Sequence, residues 1–221
     1  MELPQGLPFA WQLAAWAATA VFLGWAVRRA PWARLAANEQ SHVFLGAIVA
    51  TALLWTISGR VGPLLHFHLL GATLLYLLFG APLALIGITA AAAAATLAGA
   101  GDWAALGARA LAAGALPVAI SHLVLRVAEA RLPANFFVYV FVAAFLGGAL
   151  AMIGAGIATA AAIALWSDAG ASALDAWIAM VLMLAFGEAT LTGMLATLFV
   201  VYKPAWVGTF SDERYLRRGR A

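Results

Sequence analysis

From Val61 to Ala100 the chain contains no Asp, Glu, Lys or Arg. As one straight helix this run would be roughly 60 Å long at 1.5 Å per residue, about twice the hydrocarbon thickness of a bilayer. It therefore has to fold back, and Gly80-Ala81-Pro82 is the place that turn chemistry marks. Nor is the run isolated, because 66% of the 221 residues are hydrophobic and only 10% are charged. A soluble domain has no interior large enough for that much apolar surface. The fold class expected is all-α: a polytopic membrane helix bundle forming a single transmembrane domain over residues 1–221, with a short C-terminal tail from about Lys203.

Uncharged runs of about spanning length, divided at turn signals, give seven candidate helices. They are Phe9 to Val27, Val43 to Ile57, a short His68 to Phe79, Pro82 to Leu97, Trp103 to Leu125, Phe136 to Trp166 and Ala176 to Tyr202. The sixth exceeds one span and carries Gly147, Gly148, Gly154 and Gly156, so a tilt, kink or split is expected there. Gly147, Ala151, Ala155 and Thr159 recur every fourth residue, which in lipid marks close helix packing. The alanine run Ala90 to Ala95 reads the same way.

Basic residues follow the first, fifth and seventh candidates: Arg28, Arg29 and Arg34; Arg126 and Arg131; Lys203, Arg214, Arg217, Arg218 and Arg220. The positive-inside rule puts these on the cytoplasmic side and leaves the N-terminus and the Ser167 to Asp175 loop outside. N-out with C-in requires an odd number of spans, in agreement with seven. Arg60 is the one outside base the rule would not choose. The first segment begins with acidic Glu2, not a basic region, so it reads as a retained helix and not as a cleaved signal. The net charge of +3 sits in these short clusters and reports orientation and anionic lipid, not nucleic acid.

With no cysteine in the chain, metal chemistry is left to histidine, carboxylate and main-chain groups. His42 and His122 fall near the inner surface and read as interfacial or packed residues. His66 and His68 fall at the outer mouth, where two readings fit: a pair of interfacial rings, or half of a metal site. Glu188 lies near mid-membrane, where a charge needs a partner. Arg109 is the other charge within a span, so an ion pair between them is one reading. A role for Glu188 supporting a bound substrate or lining its path is the other, and the two are compatible.

Three stretches resemble a known family. His68-Leu-Leu-Gly-Ala-Thr, followed by Leu-Phe-Gly-Ala-Pro82, is similar to the His-Pro-Thr-Gly segment and following Leu-Phe-Gly-Pro of the CbiM and NikM substrate-capture proteins of energy-coupling-factor ABC transporters. Met1-Glu2-Leu3-Pro4-Gln5-Gly6 is similar to the Met-His-Ile-Met-Glu-Gly start of that family, and Glu188-Ala-Thr-Leu-Thr with its later Pro204 resembles the closing Glu-Gly-x-x-Thr helix. The resemblance implies a seven-helix permease of the bacterial inner membrane that takes up cobalt or nickel. It also implies a metal held by the Met1 amine, position 2 and His68, and partners comprising a transmembrane coupling subunit and separate ATPases.

The chain departs from the pattern at position 2, where Glu2 replaces histidine; His66 is the candidate for the missing imidazole. A carboxylate is a harder, geometrically looser ligand than the imidazole it replaces, which leaves the metal's identity open. A metal chelate or an organic cofactor would suit the same fold, as would a scaffold or assembly subunit without transport. An enzyme is not expected: the sequence has no Gly-x-Ser-x-Gly elbow and no His-Glu-x-x-His pair, and adjacent Ser121 and His122 would point from different helix faces. Its only lysine, Lys203, precedes a proline, so no ATP-binding loop is present.

Overall fold

A computed structural model describes residues 8–36, 38–61, 65–166 and 171–217. Helix α1 (Phe9–Arg29) starts after Pro8 and ends on Arg28 and Arg29, whose charges suit the negative end of the helix dipole. A short α2 (Trp32–Leu35) leads to α3 (Asn38–Thr56). A small antiparallel hairpin follows, β1 (Gly59–Val61) and β2 (Leu65–Phe67), with Arg60 opposite His66. Next come α4 (Ala72–Phe79) and α5 (Ala81–Leu97). Gly80, at φ +78°, ends one helix and starts the other, and Pro82 sits in the first turn of α5, where its missing N–H costs nothing. The fold-back expected from the length of the apolar run is therefore present at Gly80-Ala81-Pro82.

The next helix is built in pieces: α6 (Leu106–Ala110), a wide π turn (Leu111–Ala115) and α7 (Leu116–Arg131). Pro117 explains the wide turn, since it cannot donate the hydrogen bond a regular helix needs at that position. A similar sequence follows the cap at Asn135, whose side chain accepts the Val138 amide at 2.8 Å: α8 (Phe136–Val138), a π segment (Tyr139–Leu146) and α9 (Gly147–Trp166). The irregularity expected of the long sixth segment is thus a π stretch ahead of its glycines. The last long helix, α10 (Ala171–Tyr202), stops before Pro204.

Among the described residues the fold is all-helical apart from the hairpin, and four helices are long and apolar enough to cross a membrane: Phe9–Arg29, Leu106–Arg131, Phe136–Ala162 and Ala176–Tyr202. Three sequence boundaries are corrected. The third helix begins at Ala72, not His68, because Gly71 adopts the left-handed conformation (φ +68°) that ends the preceding extended chain. The fifth runs from Leu106 to Arg131, since Asp102 and Trp103 lie in turns. The last begins by Ala171, which places part of the expected outer loop inside it.

Eight-residue α4 is the centre of the bundle, packed by α5, α7, α9 and α10 and buried along nearly its whole length. Ala91, Ala92 and Ala95 of the alanine run are buried, as are Ala151, Ala155 and Thr159 of the small-residue stripe, so both pack as expected. Outward-facing positions are apolar as well: Val49, Leu53, Phe137, Phe141, Leu182 and Phe186 are exposed. Apolar surface inside and out fits a multi-pass membrane protein, not a water-soluble one.

Candidate metal-capture site

Extended chain from Phe67 to Gly71 enters the bundle ahead of α4 and carries His68, which is only 2% exposed. The His68 ring lies 4.7 Å from the indole of Trp55 at the end of α3, tilted by 37°. Its Nδ1 is 2.9 Å from the Leu69 carbonyl oxygen. A carbonyl only accepts, so this contact puts a proton on Nδ1 and the lone pair of the neutral ring on Nε2. Metal-binding histidines are commonly held in this way, one nitrogen tied to a carbonyl and the other directed at the ion.

The turn that carries His68 is clamped from two sides. Trp55, fully buried, donates its Nε1–H to the Leu70 carbonyl at 3.0 Å. From α10, the Glu188 carboxylate accepts the Leu70 amide at 2.7 Å and the Gly71 amide at 2.8 Å. Successive amides converging on one anion form a concave donor site, and hydrogen bonds to a carboxylate are about twice as strong as neutral ones. Gly71 is needed for its backbone angle and not for space, since an added Cβ would meet Thr51 only at ordinary contact distance. Glu188 is fully buried on the stripe of α10 that includes Leu184, Ala185 and Thr192. There Gly148 lets α9 come close: a Cβ on it would lie 3.2 Å from the Glu188 carbonyl oxygen.

Of the two readings of Glu188, the ion pair with Arg109 is not the contact it makes. Glu188 is satisfied by backbone amides, while buried Arg109 places its guanidinium over the Trp55 ring, 4.7 Å from the ring centre, and donates to the Ala100 carbonyl. Trp55 thus sits between His68 and Arg109, and sequence alone gave it no role. The signal available was weak, because a tryptophan at the end of a span usually marks the membrane interface.

Of the other proposed ligands, Met1 and Glu2 lie outside the described residues. His66 has its backbone in β2, and its side chain lies outside the described residues. Among the described residues no group of three or more His, Asp or Glu side chains gathers as a metal site. His122 is occupied elsewhere, with Nδ1 3.0 Å from the Tyr76 hydroxyl, and Ser121 bonds to Thr73 and to the Pro117 carbonyl, so the two form no dyad.

Residues 3–206 match the family described as cobalt uptake substrate-specific transmembrane region. The chain belongs to the CbiM family. Two solved structures share the fold of this CbiM protein. One, of a transition metal transporter, is 21% identical with a TM-score of 0.75 and covers 90% of this chain and 92% of its own. The other, of a truncated transition metal transporter, is also 21% identical, with a TM-score of 0.72 and coverage of 91% and 98%. A search of curated proteins gives no match. This CbiM protein is a membrane substrate-capture subunit for transition-metal uptake, and its family and structural neighbours are transporters, not enzymes.

Proposed function

We propose that the chain captures a cobalt- or nickel-like ion at the outer mouth of a seven-span, N-out and C-in bundle, as the substrate subunit of an energy-coupling-factor ABC transporter in a bacterial inner membrane. The observation that carries this reading is the His68 turn: a buried imidazole with its proton tied to the Leu69 carbonyl, in a chain of the CbiM family. His68 Nε2, the Met1 amine, Glu2 and His66 form the ligand set. Glu188 and Arg109 do not touch the metal. Glu188 fixes the turn through Leu70 and Gly71, and Arg109 fixes Trp55.

Neutral amine and imidazole nitrogens bind the ion, so affinity falls as pH drops and they protonate. ATP is hydrolysed by separate subunits, joined through a transmembrane coupling protein. Metal analysis of protein purified without a histidine tag tests the capture step: bound cobalt or nickel near one per chain supports it, and protein that stays metal-free after loading and desalting refutes it. The arrangement in the membrane has its own check. Cysteines at Ser172 and Ser211 should label from opposite sides, with 172 outside; labelling from the same side contradicts the odd number of spans.

A further inference from the structure

On the side of α4 away from Glu188, a groove of about 1030 Å³ opens between α1, α5 and α7. Its walls are Phe22 and Trp25 of α1, Leu85 of α5 and Leu116 of α7, and its floor is the Gly80 break, where an added Cβ would touch nothing. Among the described residues its polar lining is Tyr76, His122 and Arg126, which cluster together. His122 and Arg126, one turn apart on the same face of α7, are both exposed there. Buried Tyr76 holds the His122 ring edge-on at 5.8 Å, with its hydroxyl 3.0 Å from Nδ1.

Among the described residues, Arg126 is the only charged one lining the groove. Among the described residues its guanidinium enters no ion pair, and the nearby carboxylate of Glu129 is taken by Arg214 at 2.7 Å and Tyr215 at 3.3 Å. A long apolar trough with a cation and an imidazole at one end complements an amphiphile with an anionic head.

We infer that this groove binds one anionic phospholipid, its acyl chains along Phe22, Trp25 and Leu116 and its phosphate at Arg126 and His122. The site is separate from the His68 turn and does not depend on the metal reading. It also turns the basic end of α7 from a general topology signal into a specific contact.

The test is native mass spectrometry of the delipidated full chain, presented with equal phosphatidylglycerol and phosphatidylcholine. Wild type should keep one phosphatidylglycerol in preference to phosphatidylcholine by about fivefold, the ratio expected for one well-placed basic residue. Arg126→Gln should bring the ratio close to one, while Arg126→Lys keeps most of it, which separates lost charge from lost folding. Ala119→Trp, filling the trough, should expel both lipids although Arg126 remains. Arg28→Gln, at the end of α1 outside the groove, should change nothing. No preference in wild type, an equal loss from Arg28→Gln, or full lipid retention by Ala119→Trp would each overturn the proposal.

Discussion

At its N-terminal end α4 follows a turn whose amides close on a buried carboxylate, whereas at its C-terminal end the Leu77 and Leu78 carbonyls accept the Thr209 and Gly208 amides, at 3.2 and 2.8 Å. A helix of eight residues leaves most of its end groups without partners of its own, so both ends must be supplied from elsewhere in the chain. The suppliers differ in kind. Glu188 is a single charge with no exposure, fixed to a rigid α10, and it holds the turn that carries His68. Residues 203–215 form a strap of many contacts, some neutral and some between charged groups nearer the surface. The Thr209 hydroxyl reaches the Leu77 carbonyl and Tyr139, Arg34 donates to the Trp206 carbonyl, Trp206 donates to Glu39, and Phe210 and Tyr215 are buried against Tyr139. One end is suited to holding a ligand in a fixed position. At the other, support is divided among contacts that can be lost one at a time.

The largest effect should come from breaking the first end. Glu188→Ala leaves two buried amides without an acceptor and should lower stability by about 3 kcal/mol or more. Glu188→Gln keeps one acceptor oxygen and should lose about half as much. Thermal unfolding in detergent measures both, and metal affinity should fall with them because the His68 turn loosens. If Glu188→Gln unfolds like wild type, the clamp has no energetic weight. Were Glu188 paired with Arg109 instead, Arg109→Gln would rescue the Glu188→Gln protein; the geometry predicts that it does not.

A smaller effect is expected at the strap. Thr209→Val removes two hydroxyl hydrogen bonds and should cost about 1 to 2 kcal/mol. Metal affinity should stay at the wild-type value, because none of these groups reaches the His68 turn. A drop in affinity equal to that of Glu188→Gln would show that the two ends of α4 act as one unit.

The smallest effect concerns pH. The Trp206 indole N–H, at 2.8 Å, and then the Lys203 ammonium, at 3.3 Å, hold the Glu39 carboxyl below the usual carboxylate range. Its folded-state pKa is depressed, so its stabilisation is present above the unfolded value near 4.5 and is lost as pH falls through the lower folded value. Between about pH 5 and pH 3 the melting temperature of wild type should fall slightly more than that of Glu39→Gln. Parallel curves would mean that the exposed pair contributes nothing, as many surface ion pairs do.

The same two ends explain what could be read from the sequence. The Gly80-Ala81-Pro82 break was legible because helix length against bilayer thickness demanded a turn and two conformationally special residues marked it. The start of α4 was not: Leu69 to Gly71 is uncharged and apolar, and a glycine there signals a turn no more strongly than a packed helix. That Glu188 needed a partner followed from its depth. Its partner did not, because the amides of Leu70 and Gly71 carry no mark in the side-chain sequence, which offers Arg109 as the other charge within a span. The strap escaped notice for the same reason. Gly208 and Thr209 act mainly through backbone groups, and Arg214, counted as a topology signal, pairs with Glu129. His68 was legible from its place with His66 at the outer mouth and again from its resemblance to a family motif, while the contacts that orient it became visible only in the fold.

Calorimetric titration of cobalt or nickel tests the central claim, that metal is captured at the His68 end of α4 together with the chain's amino terminus. It should be run on the native chain, on His68→Ala, on a chain extended by a few residues before Met1, and on His122→Ala. The account predicts that His68→Ala and the extension each weaken binding by about 100-fold or more, since each removes a nitrogen ligand, with His122→Ala unchanged. Equal affinity in the native, extended and His68→Ala proteins would contradict it.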